Sequence, residues 1–207
     1  MKDSWKTLFG HLNTKINSLP IDFDSNTTCP SKENIMRCFN YFDANQTKVV
    51  ICGQDPYHTK GTASGLAFES INTSPPSLRN IFKEVRRSYP DASCIIDKWA
   101  EQGVLMLNRS LTVELDKPNS HSKLWKPITN EMLTLLNDFW KTNNIKVVFM
   151  LWGNNAKELE EFIDVTHHYV LKHTHPSPLS RKPFIGNGHF QKCNVFLEQN
   201  TLEKIDW

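Results

Sequence analysis

Four short, continuous apolar runs constrain the fold of this chain more than any other feature of its sequence. None of them alternates apolar with polar residues, so each is typical of a strand buried on both faces of a parallel sheet. They cover residues 49–52, 104–107, 147–151 and 169–171. Segments with helical spacing separate the runs, and this alternation predicts an α/β fold. We expect a three-layer α/β/α sandwich with a central, mostly parallel four-stranded sheet.

Apolar residues at helical spacing predict the elements between the strands. One helix is predicted over 4–19 and another over 77–89, directly after the helix breaker Pro75-Pro76. Further helices are predicted over 132–140, 156–162 and 189–197. No repeat, low-complexity tract or linker divides the chain, so residues 1–207 are predicted to form a single domain with its own core.

The cysteines and the first residues bear on where the protein works. Five cysteines are scattered without a C-x-x-C pair, which argues against a disulfide framework and a zinc or iron–sulfur site, and favours a reducing compartment. The first residues lack the apolar stretch of a signal peptide, and no run of about 18 apolar residues occurs. We expect an intracellular protein without a membrane partner. It would be cytoplasmic if the protein is bacterial, and nuclear if it is eukaryotic or if it comes from a virus that uses the nucleus of its host.

The overall charge bears on possible partners. A net charge of +2 and a pI near 8.2 permit nucleic-acid binding without arguing for it. A chain-wide basic face like that of a histone is excluded, so a nucleic acid would have to be held in a local groove. The ligand must therefore be inferred from motifs.

Polar residues follow the predicted strands at the points where these end. Asp55 comes shortly after the first run, Asn108 directly after the second and His175 shortly after the fourth. Because open α/β sheets bind ligands at the carboxyl ends of their strands, these side chains are expected to converge on one cleft. An acid, an amide and a histidine that are far apart in sequence thus form a candidate site.

Two motifs at these strand ends resemble the paired signature motifs of family-one uracil-DNA glycosylases. They read Gly53-Gln-Asp-Pro-Tyr-His58 and His175-Pro-Ser-Pro-Leu-Ser180, and the similarity continues in segments 64–68, 75–78, 103–108, 111–113, 119–121, 151–153 and 205–207. The resemblance implies a monofunctional hydrolase of base excision repair that needs no cofactor. Such an enzyme flips uracil out of DNA and cleaves its N-glycosidic bond, leaving free uracil and an abasic site.

The resemblance assigns the chemistry to Asp55 and His175. Asp55 would stabilise an oxocarbenium-like transition state and orient water, although alone it would be interpreted as a turn residue making local hydrogen bonds. His175 would donate, as a neutral ring, to the uracil O2 on which negative charge develops; a lone histidine in such a place is more often packed or at the surface. The remaining histidines have no carboxylate or cysteine partner at ligand spacing, so no metal is expected.

Four residues are implied to bind the base. Asn108 would read the polar edge of uracil and reject cytosine, whose edge has reversed polarity. Tyr57 would exclude the methyl group of thymine by collision, and Phe68 would stack on the base, unless it is simply a core residue. Gln54 would contribute backbone contacts rather than side-chain chemistry.

Four further residues are implied to bind DNA. Leu179 would enter the base stack and fill the space that uracil vacates, where the simpler expectation is burial in the core. Ser77, Ser177 and Ser180 would contact backbone phosphates without adding charge. The implied partner is uracil-containing DNA, single- or double-stranded, bound by a monomer. DNA-mimic protein inhibitors and replication proteins are further possible partners by resemblance.

Three alternative functions compete with this interpretation. A glycosylase fold kept only as a DNA-clamping accessory is disfavoured by intact Asp55, Asn108 and His175. A Rossmann-type nucleotide-binding enzyme needs a glycine-rich phosphate loop, which the first motif lacks. A thymine mismatch glycosylase is disfavoured by Tyr57. Three parts of the sequence depart from the family pattern: segment 59–64, Asn154 and Arg181-Lys182. They are expected to affect phosphate contacts, strand preference and turnover rather than the reaction itself.

Overall fold

The central sheet of the protein is entirely parallel. A computed structural model describes residues 1–207. Its six strands are β1 (Thr28–Cys29), β2 (Val49–Gly53), β3 (Val104–Asn108), β4 (Val113–Glu114), β5 (Val148–Trp152) and β6 (Tyr169–His173). The central sheet has the order β3-β2-β5-β6, with every neighbouring pair parallel. The predicted α/β fold is confirmed, and the four apolar runs are its four central strands.

A second, small sheet was not predicted. In it β1 pairs with β4 in antiparallel orientation, and each strand has only two residues. Strands this short carry no periodicity, so nothing in the sequence marks them. Their pairing ties the segment before β2 to the loop that follows β3.

The helices differ from the predicted ones mainly in length. They are α1 (Asp3–Phe9), α2 (Asn13–Asn17), α3 (Pro76–Ser88), α4 (Ile96–Glu101), α5 (Ser122–Thr142), α6 (Asn154–Lys157) and α7 (His189–Gln199). The helix predicted over 4–19 is interrupted by a 3-10 turn, Gly10–Leu12, where glycine weakens the helix. Residues 158–162 form a 3-10 turn rather than the second half of a helix. Helix α4 was missed, and α5 begins ten residues before its predicted start because polar residues and Pro127 obscure its first turns.

Helices cover both faces of the central sheet. On β5, Phe149 and Trp152 point to opposite faces because they lie three residues apart in a strand. The Phe149 ring packs against Trp140 of α5 at 5.9 Å, and the Trp152 ring packs against Phe190 of α7 at 5.9 Å. The three-layer arrangement is therefore present, with α5 and α7 in different layers.

One hydrophobic core runs through the molecule. A cluster of 50 buried residues extends from Trp5 in α1 to the carboxyl-terminal Trp207, and it includes the four central strands. All five cysteines are buried and unpaired. None of the helices is both long enough and apolar enough to cross a membrane. The hydrophobic core includes the four central strands and so holds the carboxyl edge of the sheet in a fixed arrangement.

Candidate active site

The ends of β2, β3 and β6 open into one cavity. The parallel register places Gly53 opposite Asn108 and Trp152 opposite His173, so the loops that follow these strands leave the same edge of the sheet. The cavity has a volume of about 440 Å³, in the range of small-ligand sites. It is lined by every residue predicted to act in catalysis, base binding or DNA contact except Ser180: Gln54, Asp55, Tyr57, Phe68, Ser77, Asn108, His175, Ser177 and Leu179.

Asp55 presents a carboxylate that is held from one side. Its Oδ2 accepts a hydrogen bond from the backbone N–H of Asn119 at 2.7 Å. Burial raises the pKa of Asp55 above its usual value of 3.8, and the Asn119 N–H and the neighbouring His58 offset part of that rise. The carboxylate is therefore poorly solvated but still equipped to accept a proton or a hydrogen bond in the cavity.

His175 is arranged as a neutral donor. Its Nδ1 accepts a hydrogen bond from the backbone N–H of Ser177 at 3.0 Å, so the proton of the neutral ring lies on Nε2. Burial lowers the pKa of His175 below 6.5, which favours the neutral ring near pH 7. Gly153 makes room for it: this residue has φ +89°, and a Cβ there would lie 3.0 Å from the His175 Cβ.

Asn108 offers an acceptor that no protein group uses. Its side chain is only 5% exposed, and its Oδ1 has no hydrogen-bond partner. A buried polar atom without a partner is costly, and the N–H of a ligand that reached this oxygen would satisfy it. Gly53 allows the approach, because a Cβ at that position would lie 2.3 Å from the Asn108 Oδ1.

Two aromatic side chains shape the rest of the wall. The hydroxyl of Tyr57 donates to the backbone carbonyl of Phe68 at 3.2 Å, and burial raises the pKa of Tyr57 to about 12, so it remains a donor. Phe68 has φ +64°, an uncommon conformation for a side chain of this size. Its ring packs against Trp152 at 5.6 Å and against His175 at 5.9 Å. Phe68 is thus buried and still reaches the cavity.

The loop after His175 presents Leu179 at its tip. Leu179 is 92% exposed, so the alternative that it is a core residue is wrong. Within the loop, the Ser180 hydroxyl donates to the His175 carbonyl at 2.7 Å, and the Ser177 Oγ accepts from the Leu179 N–H at 3.2 Å. The Asn80 amide of α3 donates to the Pro176 carbonyl at 2.8 Å. These bonds hold an apolar side chain out in solvent.

The serines differ in what they can still offer a phosphate. The Ser177 hydroxyl proton is not committed to a partner in the protein. Ser180 donates both its hydroxyl and its N–H inside the loop, to His175 and to Ser177. A phosphate contact by Ser180 stays a prediction that requires its hydroxyl to turn.

Comparison with known proteins decides the family. Residues 39–198 match the sequence model of the Uracil DNA glycosylase superfamily. The chain belongs to this superfamily. It is 44% identical over 188 residues to the uracil-DNA glycosylase of Francisella tularensis subsp. novicida, which covers 86% of this chain and 83% of that one.

Solved uracil-DNA glycosylases have the same fold as this superfamily member. Mimivirus uracil-DNA glycosylase superposes with a TM-score of 0.83 at 25% identity, covering 100% of this chain and 87% of that one. A variant of mimivirus UNG in complex with UGI superposes with a TM-score of 0.77 at 26% identity, covering 99% of this chain and 82% of that one.

Two residues of this uracil-DNA glycosylase superfamily member were not predicted: His58 on the cavity wall, and Arg109, which is buried beside the cavity without lining it. His58 lines the cavity, has a buried Nδ1 without a partner and lowers the pKa of Asp55. It ends the first motif, and that position was the available signal. Arg109 directly follows Asn108 and is only 4% exposed. A charged residue at the end of an apolar strand was the signal there, because burial of an arginine requires several acceptors.

Proposed function

We propose that this protein is a uracil-DNA glycosylase that hydrolyses the N-glycosidic bond between uracil and deoxyribose in DNA, as the first step of base excision repair. The observation that carries the proposal is the unpaired Asn108 Oδ1 in a cavity that also holds a carboxylate and a neutral histidine. An acceptor on the wall fits the N3–H of a flipped uracil. The two motifs support the assignment to family one.

The reaction divides between the two catalytic residues. As the glycosidic bond breaks, its electron pair goes to the base, and the Nε2–H of neutral His175 stabilises the negative charge on O2. The cationic sugar faces Asp55, whose carboxylate stabilises it and orients a water molecule. The water oxygen bonds to C1′ of the sugar, and its proton passes to Asp55. One carboxylate suffices because the uracil anion leaves without prior protonation.

Base selection follows from the cavity wall. The Asn108 amide accepts from N3–H and donates to O4 of uracil, and cytosine leaves both groups mismatched, at a cost on the order of 10⁴-fold. Tyr57 stands against C5 and collides with the methyl group of thymine. Phe68 stacks on the base. The side chain of Gln54 is bonded to Asn119 and Asn155, which leaves its backbone to contact the base.

DNA is held around the cavity mouth in this proposal. Ser77 at the start of α3 and Ser177 contact backbone phosphates, Ser180 does so if its hydroxyl turns, and Leu179 enters the stack. DNA-mimic protein inhibitors are further proposed partners, because the similar mimivirus UNG variant binds UGI. We also propose that the protein acts inside the cell as a single-domain monomer on single- or double-stranded DNA.

Product analysis tests the proposed function. The protein is incubated, with a metal chelator present, with an oligonucleotide that contains one uracil and with matched oligonucleotides that contain cytosine or thymine instead. Free uracil and an abasic site are expected from the first substrate alone. Tight DNA binding without base release would instead support the accessory DNA-clamping protein.

Leu179→Ala is expected to impair uracil release selectively on duplex DNA. Flipping a paired base costs a few kcal/mol, which an inserted side chain partly offsets, so the loss should be roughly tenfold or more on a stable duplex and small on single strands. Because Leu179 is exposed, the free energy of unfolding should change by less than about 0.5 kcal/mol. The measurement is kcat/KM on both substrates. Val165→Ala, at another exposed apolar side chain, is the matched control. Equal losses on the two substrates would remove Leu179 from base flipping.

The activity is expected to fall in acid with a midpoint above pH 3.8. Asp55 must be ionised, and burial raises its pKa above 3.8, so activity is lost as the pH falls through that raised value. Burial lowers the pKa of His175 below 6.5, so the ring is neutral near pH 7 and no step is expected at 6.5. The measurement is kcat/KM against pH on a single-stranded substrate. A midpoint at or below 3.8 would contradict the environment assigned to Asp55.

A further inference from the structure

A chain of side-chain amides connects helix α6, which follows β5, to the carboxylate of Asp55. The Asn155 Nδ2 donates to the Gln54 Oε1 at 2.5 Å, and the Gln54 Nε2 donates to the Asn119 Oδ1 at 2.5 Å. The backbone N–H of Asn119 then donates to the Asp55 Oδ2 at 2.7 Å. Asn155, Gln54 and Asn119 come from different segments, after β5, after β2 and before α5. We call these three residues the amide relay.

Arg109 anchors the far end of the amide relay. Its guanidinium donates to the Asn155 carbonyl at 2.8 Å, to the Glu158 carboxylate at 2.9 Å and to the Asn130 Oδ1 of α5 at 2.7 Å. Its backbone N–H donates to the Gly53 carbonyl at 3.0 Å. A buried arginine with three acceptors is strongly constrained, because each bond lost would leave charge without compensation. Asn155 is therefore fixed relative to the end of β2.

The other end of the relay needs this support. Asn119 is exposed, lies outside any helix or strand and has φ +64°. The Asn119 side chain makes one hydrogen bond, which it accepts from the Gln54 amide in the relay. The backbone N–H of Asn119 donates to the Asp55 carboxylate. The Ser122 N–H also ties the backbone of this turn, donating to the Asn119 carbonyl at 3.1 Å. The relay adds the side-chain restraint on the residue whose N–H orients the Asp55 carboxylate.

We propose that Asn155, anchored by Arg109, is a positioning residue that orients the Asp55 carboxylate through Gln54 and Asn119. This inference rests on the proposed uracil release. Neither Asn155 nor Arg109 lines the cavity, so neither is placed to touch the substrate itself.

The pH at which Asp55 titrates is a measurement that a general loss of folding stability would not shift. Burial raises its pKa, whereas the Asn119 N–H, His58 and the Gln54 amide lower it. His175 and Glu69 are the other charged or titratable groups on the cavity wall besides Tyr57. If the relay is cut, the Asn119 N–H is held less well, and the pKa of Asp55 rises. The acid limb of kcat should then move to higher pH.

A double-mutant cycle tests the relay. Asn155→Ala removes its first amide, and Asn119→Gly removes its last amide while glycine keeps the positive φ. Each is expected to lower kcat about tenfold, as for a fraction of an ångström of misplacement, with KM within about twofold. The double variant should also lose about tenfold rather than a hundredfold, because both changes break one connection. Asn200→Ala is the matched control: it removes one amide bond of 2.8 Å, to Phe196, at the opposite edge of the sheet.

The outcomes separate this proposal from the proposed function. If the unmodified protein releases no uracil, the proposed function fails. If the unmodified protein releases uracil and Asn155→Ala behaves like Asn200→Ala, the relay proposal is wrong and the proposed function stands. Multiplied losses in the double variant, or lower kcat with an unmoved acid limb, would also overturn the relay. Melting temperatures of all four variants ensure that only folded protein is compared.

Discussion

Asp55→Asn is expected to lower kcat for uracil release by roughly 10²–10⁴-fold, the range for loss of a positioned acid–base group. The amide keeps the size of the side chain, and its Oδ1 can still accept from the Asn119 N–H, which holds Asp55 at 2.7 Å. What is lost is the negative charge that stabilises the cationic sugar and receives the proton of water. Single-turnover release of free uracil is the measurement.

Binding data complete this test. The affinity of the Asp55→Asn variant for uracil-containing DNA should stay within a few-fold of the unmodified protein, because the DNA-contact residues are untouched. Asp116→Asn is a suitable control, since it changes an exposed carboxylate in the nearby loop with the same loss of charge. Near-normal release by Asp55→Asn would show that another group activates the water.

His175→Leu is expected to lower kcat by roughly 10²–10³-fold, the cost of losing one preorganised donor to a developing anion. The ring is neutral, with its proton on Nε2, because Nδ1 accepts from Ser177 and burial lowers the pKa. Leucine cannot donate, so the uracil anion leaves without stabilisation at O2. The freed Ser177 N–H lies in a partly exposed loop, where water can satisfy it.

The leaving group gives this prediction a sharper test. A substrate whose base forms a more stable anion, such as 5-fluorouracil, should depend less on His175 and be cleaved with a smaller loss by the Leu variant. His11→Leu, at a half-exposed histidine near α1, is the control for the substitution itself. Weaker DNA binding with an unchanged rate of bond cleavage would move His175 out of the catalytic role.

Much of the fold could be predicted because a strand that is buried on both faces of a sheet has a continuous apolar sequence. The four central strands carry continuous apolar runs, and the carboxyl edge that parallel strands share is enough to predict that Asp55, Asn108 and His175 converge. Helix α4 and the β1–β4 pair were missed, since elements of two to six residues show too little periodicity.

The fine structure of the site depended on contacts that no local pattern encodes. The apolar character of Leu179 alone could not show whether its side chain is exposed or buried. Likewise, the bonds of Arg109 join residues 21 to 49 positions apart, and the bond between Asn155 and Gln54 spans 101 positions. Only the packed structure shows that this arginine is buried and what it holds.

The two glycines at the strand ends have a consequence for recognising such sites. Gly53 and Gly153 leave room for the Asn108 oxygen and the His175 ring, and a single methyl group at either would occupy that room. A chain could keep its acid, amide and histidine in the right order and still lack a usable pocket after one glycine-to-alanine exchange. These glycines are therefore as diagnostic as the reactive residues. A sequence search for active members of such a family should require glycine at both positions as well as the catalytic residues.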